Sequence, residues 1–265
     1  MRMILAMAAA GPVAAGQAGS AMEQKLPRPG PCADAADVLS TGGIVVLLHG
    51  IAGNRFEMRL LASRLKRRGY DVDNFVYPST KAPIETHVDQ LAAHLQRYRG
   101  RTVDFACHSM GGIIVRMYMD KYRPANVRRL VMIGTPNQGA LLADRYGNLP
   151  PYRWAFGPAG QQLRRGERGA CAGAGIPGCE FGVIAGGLGG KFGFSPFIPG
   201  DNDGTVAVAE TKLDGMTDFA VVRNIHRFLH WSPTTAELTA RFLETGRFTK
   251  AGATAQAAAP TIATD

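Results

Sequence analysis

The stretch "DFACHSMGGII", residues 104–114, decides the fold. It continues an apolar run that starts at Val103 and leads into an amphipathic segment from Gly111, which predicts a strand, a sharp turn and a helix. Around Ser109 it nearly matches Gly-x-Ser-x-Gly, with Cys107 in place of the first glycine. In so sharp a turn, the positions two before and two after the serine are crowded by neighbouring backbone, so only small residues fit. Gly111 meets this demand, and Cys107 meets it if the turn opens slightly.

On both sides of this stretch, apolar runs of about five residues alternate with longer amphipathic segments. The six predicted strands are Ile44–Leu48, Val72–Val76, Val103–Ala106, Arg129–Ile133, Phe181–Ala185 and Phe219–Arg223. The predicted helices are Phe56–Arg68, Ile84–Tyr98, Gly111–Tyr122 and Thr234–Glu244. This rhythm predicts an α/β fold with a mostly parallel six-stranded sheet flanked by helices.

The interval from Gln138 to Glu180 breaks the alternation. It has no clean strand and is dense in glycine and proline, yet it also carries four aromatic residues: Tyr146, Tyr152, Trp154 and Phe156. Aromatic residues are scarce in disordered segments, which favours a packed cap over a floppy surface loop. We therefore expect a cap insertion at about 138–180 within a domain spanning 41–248.

The two ends of the chain have a different composition. Residues 1–40 are predicted to be an extension, and residues 249–265 a disordered low-complexity tail. Residues 1–22 have a short basic end and an apolar run, as a secretory signal does, but Gly11-Pro12 interrupts the run and Arg2 is the only charged residue among them. Export and a cytoplasmic location both stay open.

The chain has 30 Lys and Arg against 21 Asp and Glu, a net charge of +9. The basic residues are scattered, and no nucleic-acid-binding signature is present, so no nucleic-acid partner is predicted. The four cysteines form no Cys-x-x-Cys pair, so no zinc site is predicted. Cys171 and Cys179 flank a Gly/Pro-rich loop, and either a disulfide or two reduced thiols fits them.

A nucleophilic serine needs a base and an oxyanion site. Upstream, "VVLLHGIAGN" (residues 45–54) ends a strand with a glycine-containing loop, whose Ile51 N–H is a candidate oxyanion donor. The Met110 N–H, after Ser109, is the second candidate. Downstream, "GDNDGTVAVAE" offers Asp201 or Asp203 as an acid, and "VVRNIHRFLH" offers His226 or His230 as a base. His226 lies nearer the end of the last predicted strand.

Cys107 is itself a weak candidate for the nucleophile. Its side chain is expected to point into the sheet, where no histidine is placed to activate it. A buried, unreactive thiol is therefore the expectation.

These pieces together resemble the α/β-hydrolase family, and in particular small bacterial ester hydrolases and triacylglycerol lipases. The matching segments are "LLHGIAGN", "CHSMGGIIVRMY", "LVMIGTPNQGA", "DNDGTVAVAE" with "KLDG", and "NIH". The resemblance implies Ser109 as nucleophile, Asp203 as acid and His226 as base, with the N–H groups of Ile51 and Met110 as oxyanion hole. The departures are Cys107, where relatives carry glycine or alanine, and Asn137, where many carry histidine.

The resemblance implies a carboxylic ester hydrolase, a lipase or an esterase, that needs no cofactor and no metal. Its expected partner is a small-molecule or lipid ester, with transient contact to a lipid interface. An acyltransferase and a non-catalytic binding protein on the same fold remain alternatives. The sequence does not indicate the acyl chain length, the alcohol or the oligomeric state.

Overall fold

The computed structural model describes residues 43–249 of the chain. The predicted N-terminal extension, with its signal-like start, lies outside the described residues. So does nearly all of the predicted tail. Within the described range, no helix combines the length and the apolar character needed to cross a membrane.

The core is one six-stranded sheet in which every neighbouring pair of strands is parallel. The strands are β1 (Ile44–Leu48), β2 (Val72–Phe75), β3 (Val103–His108), β4 (Val127–Ile133), β5 (Glu180–Gly187) and β6 (Asp218–Arg223). Their order across the sheet is β2-β1-β3-β4-β5-β6. The predicted α/β class and the six strands are therefore confirmed.

The α-helices between and after the strands cover both faces of the sheet. They are α1 (Arg59–Lys66), α2 (Ile84–Leu95), α3 (Met110–Tyr122), α4 (Leu141–Tyr146), α5 (Pro150–Gln161), α6 (Ala170–Gly173), α7 (Val208–Thr211), α8 (His226–Leu229) and α9 (Pro233–Thr245). Single 3₁₀ turns lie at Gln96–Tyr98 and Gly166–Arg168.

Two apolar clusters hold these layers together, because successive side chains of a strand point to opposite faces. In β1, Val46 and Leu48 pack with α2 and α3 on one face. Val45 and Leu47 pack with α1 and α9 on the other. All five residues of β1 are buried, as expected for a strand covered on both faces.

The predicted cap interval contains the three helices α4, α5 and α6. Pro150 and Pro151 lie in the first turn of α5, where a missing N–H costs nothing. Gly157 kinks α5 with φ of 59°, and a Cβ there would meet the carbonyl oxygen of Thr80. Residues 138–180 therefore form a helical layer packed against the loop after β2, and the name cap is kept for this predicted insertion.

Candidate active site

The carboxyl ends of the parallel strands meet at one edge of the sheet, and the candidate residues gather there. Ser109 follows β3, and Ile51 lies in the loop after β1. Asp203 lies in the long connection between β5 and β6, and His226 lies just after β6. Residues far apart in the sequence thus come together because their strands end side by side.

Ser109 occupies a strained turn between β3 and α3. Its backbone has φ of 53° and ψ of −125°, a conformation that residues other than glycine rarely adopt. The Ser109 N–H donates to the carbonyl oxygen of Ile133, at 2.9 Å, which fixes the turn to β4. Because Ser109 occupies this turn and not the strand itself, its hydroxyl lies at the carboxyl edge of the sheet.

The neighbouring residues show why the turn needs small side chains. A Cβ placed on Gly111 would lie 2.9 Å from the carbonyl oxygens of Leu48 and His49. A Cβ on Gly112 would lie 2.3 Å from the hydroxyl of Thr135. Cys107, at the position of the first motif glycine, is wholly buried in the sheet core. Burial raises the pKa of its thiol well above the usual value, which disfavours the reactive thiolate.

The structure brings Ser109, His226 and Asp203 into one hydrogen-bonded chain. The Nε2 atom of His226 lies 3.0 Å from the Ser109 Oγ. The Nδ1 atom of the same ring lies 2.6 Å from the Asp203 Oδ2. Because a carboxylate only accepts, Nδ1 carries the proton and Nε2 is left to accept from the serine hydroxyl.

Asp203 is held by its own loop. Its Oδ1 accepts the N–H groups of Thr205, at 3.0 Å, and Val206, at 2.7 Å. Its side chain is completely buried. The adjacent Asn202, also fully buried, bridges the loop through bonds to Ser195, Ile198, Gly200 and Gly204. The sequence did not single out Asn202, whose bracing role has no local signature.

The other residues considered in sequence lie elsewhere. Asp201 accepts the N–H groups of Leu188 and Gly189 at the end of β5, so its carboxylate braces that loop. The ring of His230 is buried beside Glu57 and His108. Neither side chain has a hydrogen bond to Ser109 or His226.

Tyr77, which follows β2, holds the loop after β1 in place. The Tyr77 hydroxyl donates to the carbonyl oxygen of His49, at 2.6 Å, and the two rings stack with centroids 4.3 Å apart. Burial lowers the pKa of His49, which favours its neutral form. Gly50 packs directly on Ser109, because a Cβ there would lie 2.9 Å from the serine Cβ.

The two candidate oxyanion donors flank the serine. Ile51 borders the cleft at Ser109, and Met110 begins α3. Among residues 43–249, neither N–H donates to a protein acceptor. Both are therefore available to a bound ligand, and the helix N-terminus at Met110 favours negative charge there.

His108, the residue before the serine, has its ring nitrogens bonded to groups other than Ser109. Its Nδ1 lies 2.8 Å from the Oε1 of Glu57, and its Nε2 lies 3.1 Å from the carbonyl oxygen of His226. Glu57 also accepts the Gly50 N–H, at 3.3 Å. Glu57 was not predicted from the sequence, because it is 51 residues from His108 and lies in no local motif.

A cleft of about 980 Å³ opens over Ser109 and His226. Residues 138–180 contribute nine lining residues, most of them apolar: Ala140, Leu142, Ala143, Tyr146, Leu149, Pro151, Tyr152, Phe156 and Leu163. Tyr152 and Phe156 pack ring on ring, with centroids 4.6 Å apart. The volume is that of a site for a ligand of drug size or larger.

Cys171 and Cys179, which flank the Gly/Pro-rich loop, do not form a disulfide with each other. Cys171 is a free thiol, buried under the loop after β4, and its Sγ lies 3.2 Å from the carbonyl oxygen of Pro136. Of the two alternatives that the sequence left open, the structure therefore shows Cys171 reduced.

A family model described as a domain of unknown function, DUF7379, matches residues 22–148. This range includes the loop after β1 and Ser109, and it ends before Asp203 and His226. No curated protein matches the chain by sequence.

Several solved structures share the fold at low identity. A lipase of Bacillus licheniformis, BlEst2 in its mature form, is 21% identical over 77% of this chain and 91% of its own, with a TM-score of 0.59. The metagenomic carboxyl esterase MGS0156 is 15% identical over 86% and 81%, with a TM-score of 0.58. The phospholipase PlaB of Legionella pneumophila is 17% identical over 76% and 60%, also with a TM-score of 0.58. The resemblance to the α/β-hydrolase fold is confirmed, and the chain has that fold.

Proposed function

We propose that this protein is a serine hydrolase that cleaves carboxylic esters through an acyl-enzyme on Ser109. The observation that carries the proposal is the hydrogen-bonded chain from Ser109 through His226 to Asp203 at the floor of an apolar cleft. The lipases and esterases that share the fold support the same class of reaction. Asp203 is the proposed acid and His226 the proposed base.

The proposed reaction starts at the Ser109 hydroxyl. The Ser109 Oγ attacks the ester carbonyl carbon while the His226 Nε2 takes the hydroxyl proton. The carbonyl oxygen becomes an oxyanion, which the N–H groups of Ile51 and Met110 receive. The tetrahedral intermediate collapses, and the alcohol leaves with the proton that His226 returns to it.

Hydrolysis of the acyl-enzyme repeats these steps with water. His226 takes a proton from water as its oxygen attacks the acyl carbon, and the proton then returns to the Ser109 Oγ as the carboxylic acid leaves. Throughout, Asp203 keeps the imidazole in the productive tautomer and stabilises its protonated form. The backbone bonds from Thr205 and Val206 hold the carboxylate in place for this.

The cleft indicates which part of the substrate is recognised. Cap residues such as Leu142, Tyr152 and Phe156 offer carbon surface and few polar partners, so they suit an acyl chain. We propose medium or long acyl chains. A series of nitrophenyl esters of increasing chain length tests this, and an optimum at the shortest chain would contradict it.

A lipid surface is the proposed source of such substrates. On the cap helix α5, Trp154 is 90% exposed, and Phe56 beside the cleft is 54% exposed. Exposed aromatic rings next to an apolar cleft are suited to contact with an interface. Turnover of a long-chain ester should then rise when the substrate forms an emulsion.

The test of the reaction is replacement of the nucleophile. Ser109→Ala is expected to lower kcat for a nitrophenyl ester by about 10⁴-fold or more with the melting temperature preserved. A fluorophosphonate should add once to the wild-type chain, at Ser109. Ser63→Ala, on the exposed side of α1, is the matched control and should retain turnover and labelling. Full turnover in Ser109→Ala, or folded wild type that fails to label, would exclude the proposal.

A further inference from the structure

Behind the proposed triad lies a second cluster of potential ligands that the ester chemistry does not use. One carboxylate oxygen of Glu57 and one ring nitrogen from each of His108 and His230 lie within 4.8 Å of one another. The Glu57–His108 separation is 2.8 Å, and Oε1 of Glu57 lies 3.9 Å from Nε2 of His230. We infer that these three side chains form a binding site for a divalent transition metal of the zinc type.

His230 supplies the observation that points to a missing ligand. Its side chain is 1% exposed, and neither ring nitrogen has a hydrogen-bond partner among the described residues. Buried polar atoms without partners are costly, so a buried imidazole with both nitrogens unsatisfied is unusual. The distance of 3.9 Å between Nε2 of His230 and Oε1 of Glu57 is longer than a hydrogen bond. An imidazole nitrogen and a carboxylate oxygen, both common metal ligands, therefore face each other without a direct bond.

His108 is already oriented as a metal ligand would be. Its Nε2 donates to the carbonyl oxygen of His226, at 3.1 Å. A metal-binding histidine usually donates its other N–H to a carbonyl or carboxylate in this way, which fixes the ring and the tautomer. Release of the proton that Nδ1 shares with Glu57 would leave the Nδ1 lone pair for an ion, and Glu57 would bind that ion in place of the N–H.

The donor set and its spacing select the class of metal. Two imidazole nitrogens and one carboxylate suit zinc, whereas calcium and magnesium prefer oxygen alone. Zinc bonds of about 2.0–2.2 Å place tetrahedral ligands roughly 3.3–3.5 Å apart, and the observed separations lie on both sides of that value. The rings of His108 and His230 pack with centroids 4.1 Å apart and planes at 42°, so the side chains would rotate to bring both nitrogens onto one ion. Glu57 and His108 also border the cleft, so water can take the fourth position.

The ligands come from three segments that surround the serine. Glu57 follows the loop after β1 and accepts the Gly50 N–H, His108 ends β3, and His230 follows α8, which starts at His226. A bound ion would fasten these segments to one another. The site does not rest on the proposed function, because its ligands are outside the hydrogen-bonded chain of Ser109, His226 and Asp203.

The test is metal binding by the full, untagged chain after dialysis against a chelator. Calorimetric titration with Zn²⁺ is expected to give one ion per chain, and Zn²⁺ should raise the melting temperature. Co²⁺ should give the visible absorption bands of a tetrahedral site. Glu57→Gln, which keeps the shape, and His230→Leu should each weaken Zn²⁺ binding at least about 100-fold, more than loss of an outer-shell partner costs.

Two controls isolate the cluster. His94→Gln removes a histidine of α2 that pairs with Asp73 of β2, and Ser109→Ala removes the proposed nucleophile. Both should bind Zn²⁺ as the wild type does, so an inactive chain that binds metal separates this site from the ester chemistry. The inference is overturned if the wild type shows no saturable binding. It is equally overturned if binding survives in Glu57→Gln, which decides the matter should His230→Leu fold poorly.

Discussion

Asp203 and His226 are joined twice, once through side chains and once through the backbone. The His226 Nδ1 lies 2.6 Å from the Asp203 Oδ2, and the His226 N–H donates to the Asp203 carbonyl oxygen, at 2.9 Å. The backbone bond holds the two loops together independently of the carboxylate. Removal of the carboxylate charge should therefore change the chemistry and leave the loops in place.

Asp203→Asn is accordingly expected to lower kcat by about 10⁴-fold with little change in the melting temperature, because an amide favours the wrong imidazole tautomer. Steady-state kinetics on a soluble nitrophenyl ester measures this. Asp201→Asn is the matched control, since that carboxylate binds only backbone N–H groups of the neighbouring loop. Its kcat should stay within about tenfold of wild type. The reverse order of losses would assign the acid to Asp201.

A second prediction concerns the crowding after Ser109. Gly111→Ala is expected to destabilise the protein by about 1–3 kcal/mol, because its Cβ would meet two backbone carbonyls at 2.9 Å. Denaturant unfolding gives the free energy, and ester turnover should fall as the serine is displaced. Gly190→Ala, where a Cβ meets nothing within 4 Å, should change stability by less than about 0.5 kcal/mol. Equal stabilities for the two variants would show that the turn is not crowded.

Much of this edge of the sheet was predictable, because each strand carries its own signal. The predicted β1, Ile44–Leu48, matches the structure, and the other strands differ by one or two residues at an end, β5 at both ends. β3 runs on to His108, past the predicted Ala106, because its pairing with β4 continues up to the turn. The order of the strands came from no local pattern, since pairing between distant runs depends on the whole sheet.

The helices of the cap and the buried contact between Glu57 and His108 were harder to predict. The pair Pro150-Pro151 resembles a helix breaker, but it begins α5, where its fixed φ is favourable. Glu57 lies before α1 in a stretch with no motif, and no pattern in the sequence links it to His108. Such a contact depends on two loops meeting in space, which the spacing of residues along a chain does not encode.

The third prediction is that Cys107 is chemically inert in the folded protein. Burial raises the pKa of its thiol well above the usual value, so the thiolate is negligible at neutral pH. Alkylation followed by mass spectrometry should leave Cys107 unmodified in buffer and modify it in urea. Rapid labelling in buffer would show that the turn opens on the time scale of the reaction.

The same position offers a steric test. Cys107→Gly supplies the residue of the common motif and is expected to keep turnover within about tenfold of wild type. Cys107→Leu inserts a larger side chain into a fully buried position and should cost about 1–3 kcal/mol of stability and most of the activity. A leucine variant with full turnover would contradict the account of a crowded turn.

The last prediction separates the inner and outer faces of the cap helix α5. Phe156 lines the cleft and packs on Tyr152, whereas Trp154 is 90% exposed and lies outside the lining. Phe156→Ala should shift the preference in kcat/KM toward longer or bulkier acyl chains by about tenfold, the scale on which a pocket discriminates one or two methylenes. Trp154→Ala should leave the chain-length profile for soluble esters unchanged and reduce turnover only on an emulsified substrate. If both variants gave the wild-type profile on soluble esters, the acyl chain would not bind under α5.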